Sequence, residues 1–413
     1  MKTNAATLLL LTLLIAVAQA ASASNVWLVN GVNGSDSDDC RLPQTACKTI
    51  GHALSLASSG DFILVAPAIY AENLTISFSV TVIGAGAGTT AIDGGGVGRV
   101  IYIPSQTAKV NLWGLTIRNG VLRTGTRQGP GVFNLGSLTI NFCTITNNLA
   151  VGFGGFGGGI FNEGVVTIND STISQNGNVL GGGGIYSSGY VTINNSTIVA
   201  NTGLIGGGIE NRSILNGDGV LTGGILTIKN SNLSSNTGTI GGGILNNGTL
   251  VVVNSTFSGN TARENGGAIT NGGTLAVFNA TFGGNGAVEG GAINNGATAT
   301  LQNSIVANST KGGNCSGGVV SHGYNLSSDD TCNFSMRGDL NNIDPILGPL
   351  QNNGGPTQTM ALQNGSAAID SGKPSGCTDE AGHLLRTDQR GEPRPDNEDV
   401  RGCDMGAYER QTD

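Results

Sequence analysis

A Gly-Gly-Gly/Ala-Ile unit ends at Ile160, Ile185, Ile209, Ile244, Ile269 and Ile293, in steps of 25, 24, 35, 25 and 24 residues. A period of 24 to 25 residues marks a solenoid, in which each unit buries its apolar face only by stacking on the next. The 35-residue step holds an insertion of 11 residues (35 minus 24) around Ser213 to Gly223, after which the period resumes. Such insertions map to loops on one face.

Each unit carries short alternating segments, such as Val191-Thr192-Ile193 and Leu226-Thr227-Ile228, followed by a third, such as Ser171-Thr172-Ile173 and Ser255-Thr256-Phe257. Alternation sends Val191 and Ile193 to one face and Thr192 to the other, and so few residues leave no room for crossover helices. The expected fold is therefore all-β, a single-stranded right-handed parallel β-helix with three short strands per coil. About ten coils from Asp61 to Ile305 would make a rod on the order of 50 Å long at the spacing of paired strands.

Composition agrees. The 413 residues include 70 glycines and 44 asparagines but only 19 aromatics. Glycine and asparagine are poor in helix interiors and good in tight turns. The glycines lack the three-residue period of collagen, and Val, Ile, Leu and Thr recur too regularly for a disordered chain. A net charge of -8 and a pI near 4.9 argue against a nucleic-acid partner, which would require clustered Lys and Arg.

Aligned by register, the units form columns. Asn148, Asn176, Asn201, Asn236, Asn260 and Asn285 make one; Asn134, Asn162, Asn211, Asn246, Asn271 and Asn295 make another, broken once by Ser187. These read as asparagine ladders at turns, where the side chain bonds to the next coil and tolerates left-handed backbone. Cys143 falls in a column with Ser171, Ser196, Ser231, Ser255 and Ala280, which makes it a buried filler thiol. The run Gly154 to Gly159 lacks the Lys-Ser/Thr of a phosphate loop.

The ends differ from the body. Met1-Lys2, the apolar run Leu8 to Val17 and Ala18-Gln19-Ala20 give residues 1–20 the form of a secretory signal peptide, too short in its apolar part to span a bilayer. Residues 21–60 read as an N-terminal cap, with Ile50, Ala53, Leu54 and Ala57 at helical spacing between Thr49 and Ser58. Residues 61–310 are the β-helix. Residues 311–413 are a polar C-terminal module: its segment 377 to 413 holds 15 of the 46 charged residues. Seven cysteines suit an oxidising compartment. Their connectivity is open in sequence, and sequence-local pairing joins Cys40 with Cys47, Cys315 with Cys332, and Cys377 with Cys403, leaving Cys143 unpaired. No Cys-x-x-Cys occurs and the three histidines are scattered, so no metal site and no cofactor are expected.

Gly266-Gly267-Ala268-Ile269 with Phe257-Ser258-Gly259-Asn260, and Gly290-Gly291-Ala292-Ile293 with Phe282-Gly283-Gly284-Asn285, resemble the GGAI and FxxN repeats of polymorphic outer-membrane proteins. The tail resembles the choice-of-anchor Q module of bacterial surface β-helix proteins. The matching stretches are Asp344-Pro345, Leu347 to Leu350, Asn353 to Thr357, Ala368-Ile369-Asp370, Thr387 to Gly391, and Cys403 to Glu409. The resemblance implies a pectin-lyase-like β-helix, exported and often surface-attached, without an assigned activity. No sorting motif or hydrophobic tail precedes Asp413, so release into the medium or attachment through a partner is expected.

Two functions compete. A polysaccharide lyase or glycoside hydrolase acting on uronate-rich polysaccharide would need convergent carboxylates or a carboxylate-held cation with a basic residue. The acids of the repeats, Glu163, Asp170, Glu210, Asp218, Glu264 and Glu289, are scattered over different columns. Loop residues Arg123, Arg127, Arg212 and Asp218 are the remaining candidates for such chemistry. A non-catalytic, adhesin-like protein of the cell surface or medium would instead grip glycans or matrix on its lateral face. Phe133, Phe161 and Tyr186 follow an inward residue on three successive coils, with Glu210 next in the column, and alternation points all four outward. Simple cross-strand packing under a loop is the commoner role for such a column, and the strip is the best carbohydrate-site candidate that the sequence offers. A threonine array of Thr139, Thr167, Thr192 and Thr227, suited to ice, is interrupted by Val251 and Ala276.

Overall fold

A computed structural model describes residues 24–123, 128–152, 154–178, 180–215, 221–396 and 402–412. Residues 1–20, read as an export signal, lie outside the described residues, as do Arg127 and Asp218. The chain winds as a right-handed parallel β-helix. A representative coil runs Ile160–Asn162, Val165–Asn169 and Thr172–Ser174, contributing one strand each to what we term sheets C, A and B. Sheet A has twelve strands, sheet B eleven and sheet C ten.

Alternation sets the interior. In Val165–Asn169 the burial alternates, with Val166 and Ile168 inside. The repeat isoleucines Ile160, Ile185, Ile209, Ile244, Ile269 and Ile293 pair coil to coil in sheet C and are all 0% exposed. Each such side chain adds about 2 kcal/mol of apolar burial. Phe257 and Phe282 stack within the core at 4.7 Å.

The glycine runs are fixed by backbone approach. Gly182 has φ +65°, and a Cβ on Gly183 would stand 2.3 Å from the carbonyl oxygen of Gly207 on the next coil. No side chain fits there.

The first asparagine ladder is internal and continuous. Asn176 donates from its backbone N–H (3.0 Å) and its Nδ2 (3.1 Å) to Asn201 Oδ1, and Asn201 Nδ2 donates to Asn236 Oδ1 (3.1 Å) and to the carbonyl of Ile173 (2.9 Å). The left-handed backbone expected of these asparagines belongs instead to the residue before each, Asn147, Gln175, Ala200 and Ser235, which makes the turn that aims the ladder residue inward. Replacing Asn201 with Ala removes the acceptor of two Asn176 donors and the donor to two acceptors, the Ile173 carbonyl and Asn236 Oδ1, and a loss of about 2 kcal/mol is expected. Urea unfolding measures it; a cost below about 0.5 kcal/mol, the level of an ordinary surface substitution, contradicts the ladder's role.

Helix α1 (Ile50–Leu56) caps the first coil, with the Thr49 hydroxyl accepting from the N–H of His52 and with Ile50, Ala53 and Leu54 buried. The N-terminal segment is also part of the sheet: Val26–Val29 is the first strand of sheet A, paired with Phe62–Val65. Its outer edge is closed by the loop of the Cys40–Cys47 disulfide, through bonds from Leu28 N–H to the Cys40 carbonyl and from Cys47 N–H to the Leu28 carbonyl, both 2.8 Å. Strands Val320–Ser321 and Leu326–Ser327 continue sheets A and B, so paired strands extend beyond residues 61–310 at both ends.

Disulfides Cys315–Cys332 and Cys377–Cys403 tie the C-terminal module. The module does more than close the last coil, because it runs back along the outside of sheet B. Thr357 bonds to the Asn230 carbonyl, Thr256 to Gln389, Asn279 to the Thr378 carbonyl, and the N–H of Ala407 to Thr281. Asn232, Thr256, Thr281 and Ile305 are buried beneath it. Two buried ion pairs hold it, Arg390 with Asp388 at 2.8 Å and Arg394 with Glu409 at 2.5 Å. Cys143 is unpaired and buried, and burial raises its thiol pKa to about 12.

Candidate functional site

The register places Phe133, Phe161, Tyr186 and Glu210 in one column on the outer side of sheet C, next to Tyr102. The rings do not present their faces to solvent. Phe133 and Phe161 stack at 5.0 Å, Phe161 and Tyr186 at 4.9 Å with only 4° between planes, and Tyr102 meets Phe133 edge-on at 5.3 Å. The Arg99 guanidinium lies over Tyr102 and Phe133 while bonding to the Gln128 and Gly129 carbonyls. Phe161 is 2% exposed. The side chains leave the β-helix interior and stack on one another, with Phe161 buried and Phe133 and Tyr186 partly so, which is the cross-strand packing open to such a column.

The cover is an arm that follows the Asn148 ladder in each coil. Val121–Leu122, Leu149–Ala150 and Gly177–Asn178 pair in one small sheet, and Thr237–Ile240 pairs with Thr261–Asn265 in another. Between them the arm is held by isolated bridges, Gly177 to Thr202, Gly181 to Ile205 and Ile205 to Ile240 among them. On this arm Phe156 packs against Tyr186 at 5.0 Å.

The repeat is disturbed at that gap. Glu210 follows Tyr186 in the column and points out of the coil as alternation requires, yet it is 2% exposed. Its Oε1 lies 3.6 Å from Arg212 Nη1, and its Oε2 is buried without a hydrogen-bond partner. A Cβ at Gly181 would collide with that oxygen, so the carboxyl rests directly on arm backbone. Burial raises the Glu210 pKa to about 7, with Arg212 opposing. Burial also raises that of Tyr186, which bonds to Arg212 and feels the charges of Glu210 and Glu163. Beside Glu210, Asn211 Oδ1 is a second buried acceptor without a partner. Its ladder neighbour is Ser187, which has no amide to donate, and the insertion after Arg212 replaces the turn whose N–H serves other ladder members, as Gly248 serves Asn246.

Arg212 was expected in a loop and instead ends the strand Ile209–Arg212, where it joins the cluster. Arg123 follows the arm strand Val121–Leu122, two coils before that of Tyr186. Among the described residues, the grouping of possible metal ligands is Cys40, Cys47 and His52, and its two cysteines form a disulfide. With Glu210 protonated, the cluster offers hydrogen-bond donors from a carboxyl, a guanidinium and a phenol, a set suited to hydroxyl-rich or acidic ligands. The break at Ser187 and the insertion were visible in sequence. The burial of Glu210 was not, because the glycine-rich arm that covers it has no apolar periodicity.

The fold defines the class: a parallel β-helix of the pectate lyase architecture. Among solved structures, the pectate lyase Pel9A superposes with TM-score 0.52 at 14% identity, covering 94% of this chain and 97% of that one. The pectin methylesterase from Aspergillus niger in deglycosylated form gives 0.34 at 14% identity, covering 78% and 86%. At such identity the first likeness shows the fold alone, and the second carries no argument. No protein-family model matches the chain, and no curated protein does.

Proposed function

We propose that the chain is an exported, non-catalytic β-helix protein that binds polysaccharide at the level of Tyr186, Glu210 and Arg212. The supporting observation is the pair of adjacent buried acceptors without partners, Glu210 Oε2 and Asn211 Oδ1, beside Arg212 at the interruption of the repeat. Buried polar groups are for the most part satisfied, and an unpaired one calls for a physical reason, of which a ligand is one; here two stand on consecutive residues, whereas Asn232 Oδ1 and Ser309 Oγ elsewhere stand singly. Three disulfides fit an oxidising, extracellular setting. The GGAI repeats and tail motifs support a place at the cell surface or in the medium. Among the described residues no helix is long and apolar enough to cross a membrane.

A second reading, cleavage of a uronate-rich polysaccharide, is favoured by one observation. A carboxyl titrating near 7 next to Tyr186 and Arg212 has the acidity of a general acid at neutral pH. Affinity electrophoresis in gels containing polygalacturonate or arabinoxylan, run beside assays for unsaturated uronide and new reducing ends, separates the two. Retardation that weakens in Arg212→Ala, without product, is expected. Product formed by the wild-type chain and lost in Glu210→Gln replaces binding with catalysis; neither retardation nor product removes both readings.

A further inference from the structure

Around the corner from sheet C to sheet A, the same three coils carry a second distinctive patch. Val165, Tyr190 and Ile225 pair in register at the start of the sheet A strands and are 43%, 51% and 40% exposed. The coils on either side place Ser137, Thr249 and Thr274 at this position, so the apolar triplet coincides with the levels of Glu163, Tyr186 and Glu210. Among the described residues the Tyr190 ring stacks on no other ring, unlike the Phe133, Phe161 and Tyr186 rings.

The flanks are polar. On the sheet C side stand exposed Glu163 and Arg212, separated from the triplet by Gly164, Gly189 and Gly224. A Cβ at Gly189 would lie 2.0 Å from the Gly164 carbonyl oxygen, so no side chain fits at Gly189 itself. On the other side Thr167, Thr192 and Thr227 form a hydroxyl column. Two coil steps of about 4.8 Å make the apolar strip roughly 10 Å long. One carboxylate and one guanidinium leave the flank without net charge, which matches an uncharged polyhydroxyl ligand better than a polyanion.

We infer that Tyr190, between Val165 and Ile225, is the stacking platform for a neutral polysaccharide chain, with Glu163 and Arg212 bonding to its hydroxyls. Carbohydrate contact thereby extends from Arg212, at the edge of the Glu210 cluster, to the exposed corner. The inference rests on the polysaccharide-binding reading and specifies its ligand class.

The test is affinity electrophoresis of the intact chain in native gels containing arabinoxylan, galactomannan, hydroxyethylcellulose or polygalacturonate. Retardation is expected in at least one of the three neutral gels, with association weakened about tenfold by Tyr190→Ala, a loss the method resolves. Tyr190→Phe, which keeps the ring face, should bind as wild type. Ile225→Thr, which installs the residue type of the next coil, should weaken binding without lowering the unfolding midpoint. Retardation in a neutral gel that survives Tyr190→Ala overturns this inference and leaves the binding reading standing. Retardation by polygalacturonate alone overturns the neutral ligand class, and retardation in no gel overturns both proposals.

Discussion

Glu210→Gln is expected to stabilise the chain above neutral pH and to flatten its stability profile between pH 5 and 8. In the folded protein, burial raises this carboxyl from 4.5 to about 7. The folded state therefore binds more protons than the unfolded state between those values, and stability falls as pH rises through the interval. Below about 4.5 the group is protonated in both states and contributes nothing; above about 7 the full cost is present, on the order of 3 kcal/mol for this difference. Glutamine has no charge to desolvate and avoids that cost. Glu72, also raised by burial, leaves a residual slope of the same sign in the variant. Asp61 and Asp93 are held low by their hydrogen bonds against the opposing effect of burial, so their stabilisation is lost only at more acidic pH. Urea titrations at pH 5 and pH 8 measure the effect. Parallel profiles for wild type and variant contradict it.

Arg394→Ala should be the most damaging single change in the C-terminal module. Arg394 is buried between the Glu409 carboxylate and Asn254 Oδ1 on the flank of the β-helix. Removing the guanidinium takes the Arg394 cation away from the buried Glu409 carboxylate, a loss of about 3 to 5 kcal/mol. Because this contact also fastens the module to sheet B, unfolding should begin with exposure of Asn254 and Thr256. Arg394→Met with Glu409→Leu removes both charges and should recover most of the loss. A cost below about 1 kcal/mol for Arg394→Ala, or no recovery in the double variant, means that the pair does not hold the module.

Legibility in the sequence followed period. Columns such as Ile160 to Ile293 and Asn148 to Asn285 state their own register, and a one-residue error would have turned every isoleucine outward. The parallel β-helix follows from that constraint. What period cannot report is cover. Phe161 and Glu210 point away from the coil interior as alternation requires, yet both are buried, because an arm covers them whose apolar residues, Phe156, Leu180, Leu204 and Ile205 among them, are scattered between glycines without a regular period. The lateral packing of the C-terminal module was hidden for the same reason. Asn232, Thr256 and Thr281 are polar as an exposed sheet face would be, and their partners lie up to 133 residues away. Tyr190 was legible only as an outward residue. What sets it apart is its neighbours on adjacent coils, Val165 and Ile225, and its own exposure.

Hydrogen exchange of the intact chain, with and without whichever polysaccharide retards it, tests the central claim most directly. Ligand-dependent protection is expected at residues 160–165, 185–190 and 209–212, the three coils that share the corner and the Glu210 cluster, with the module on sheet B unchanged. Protection elsewhere on the rod, or spread evenly along its length, contradicts it.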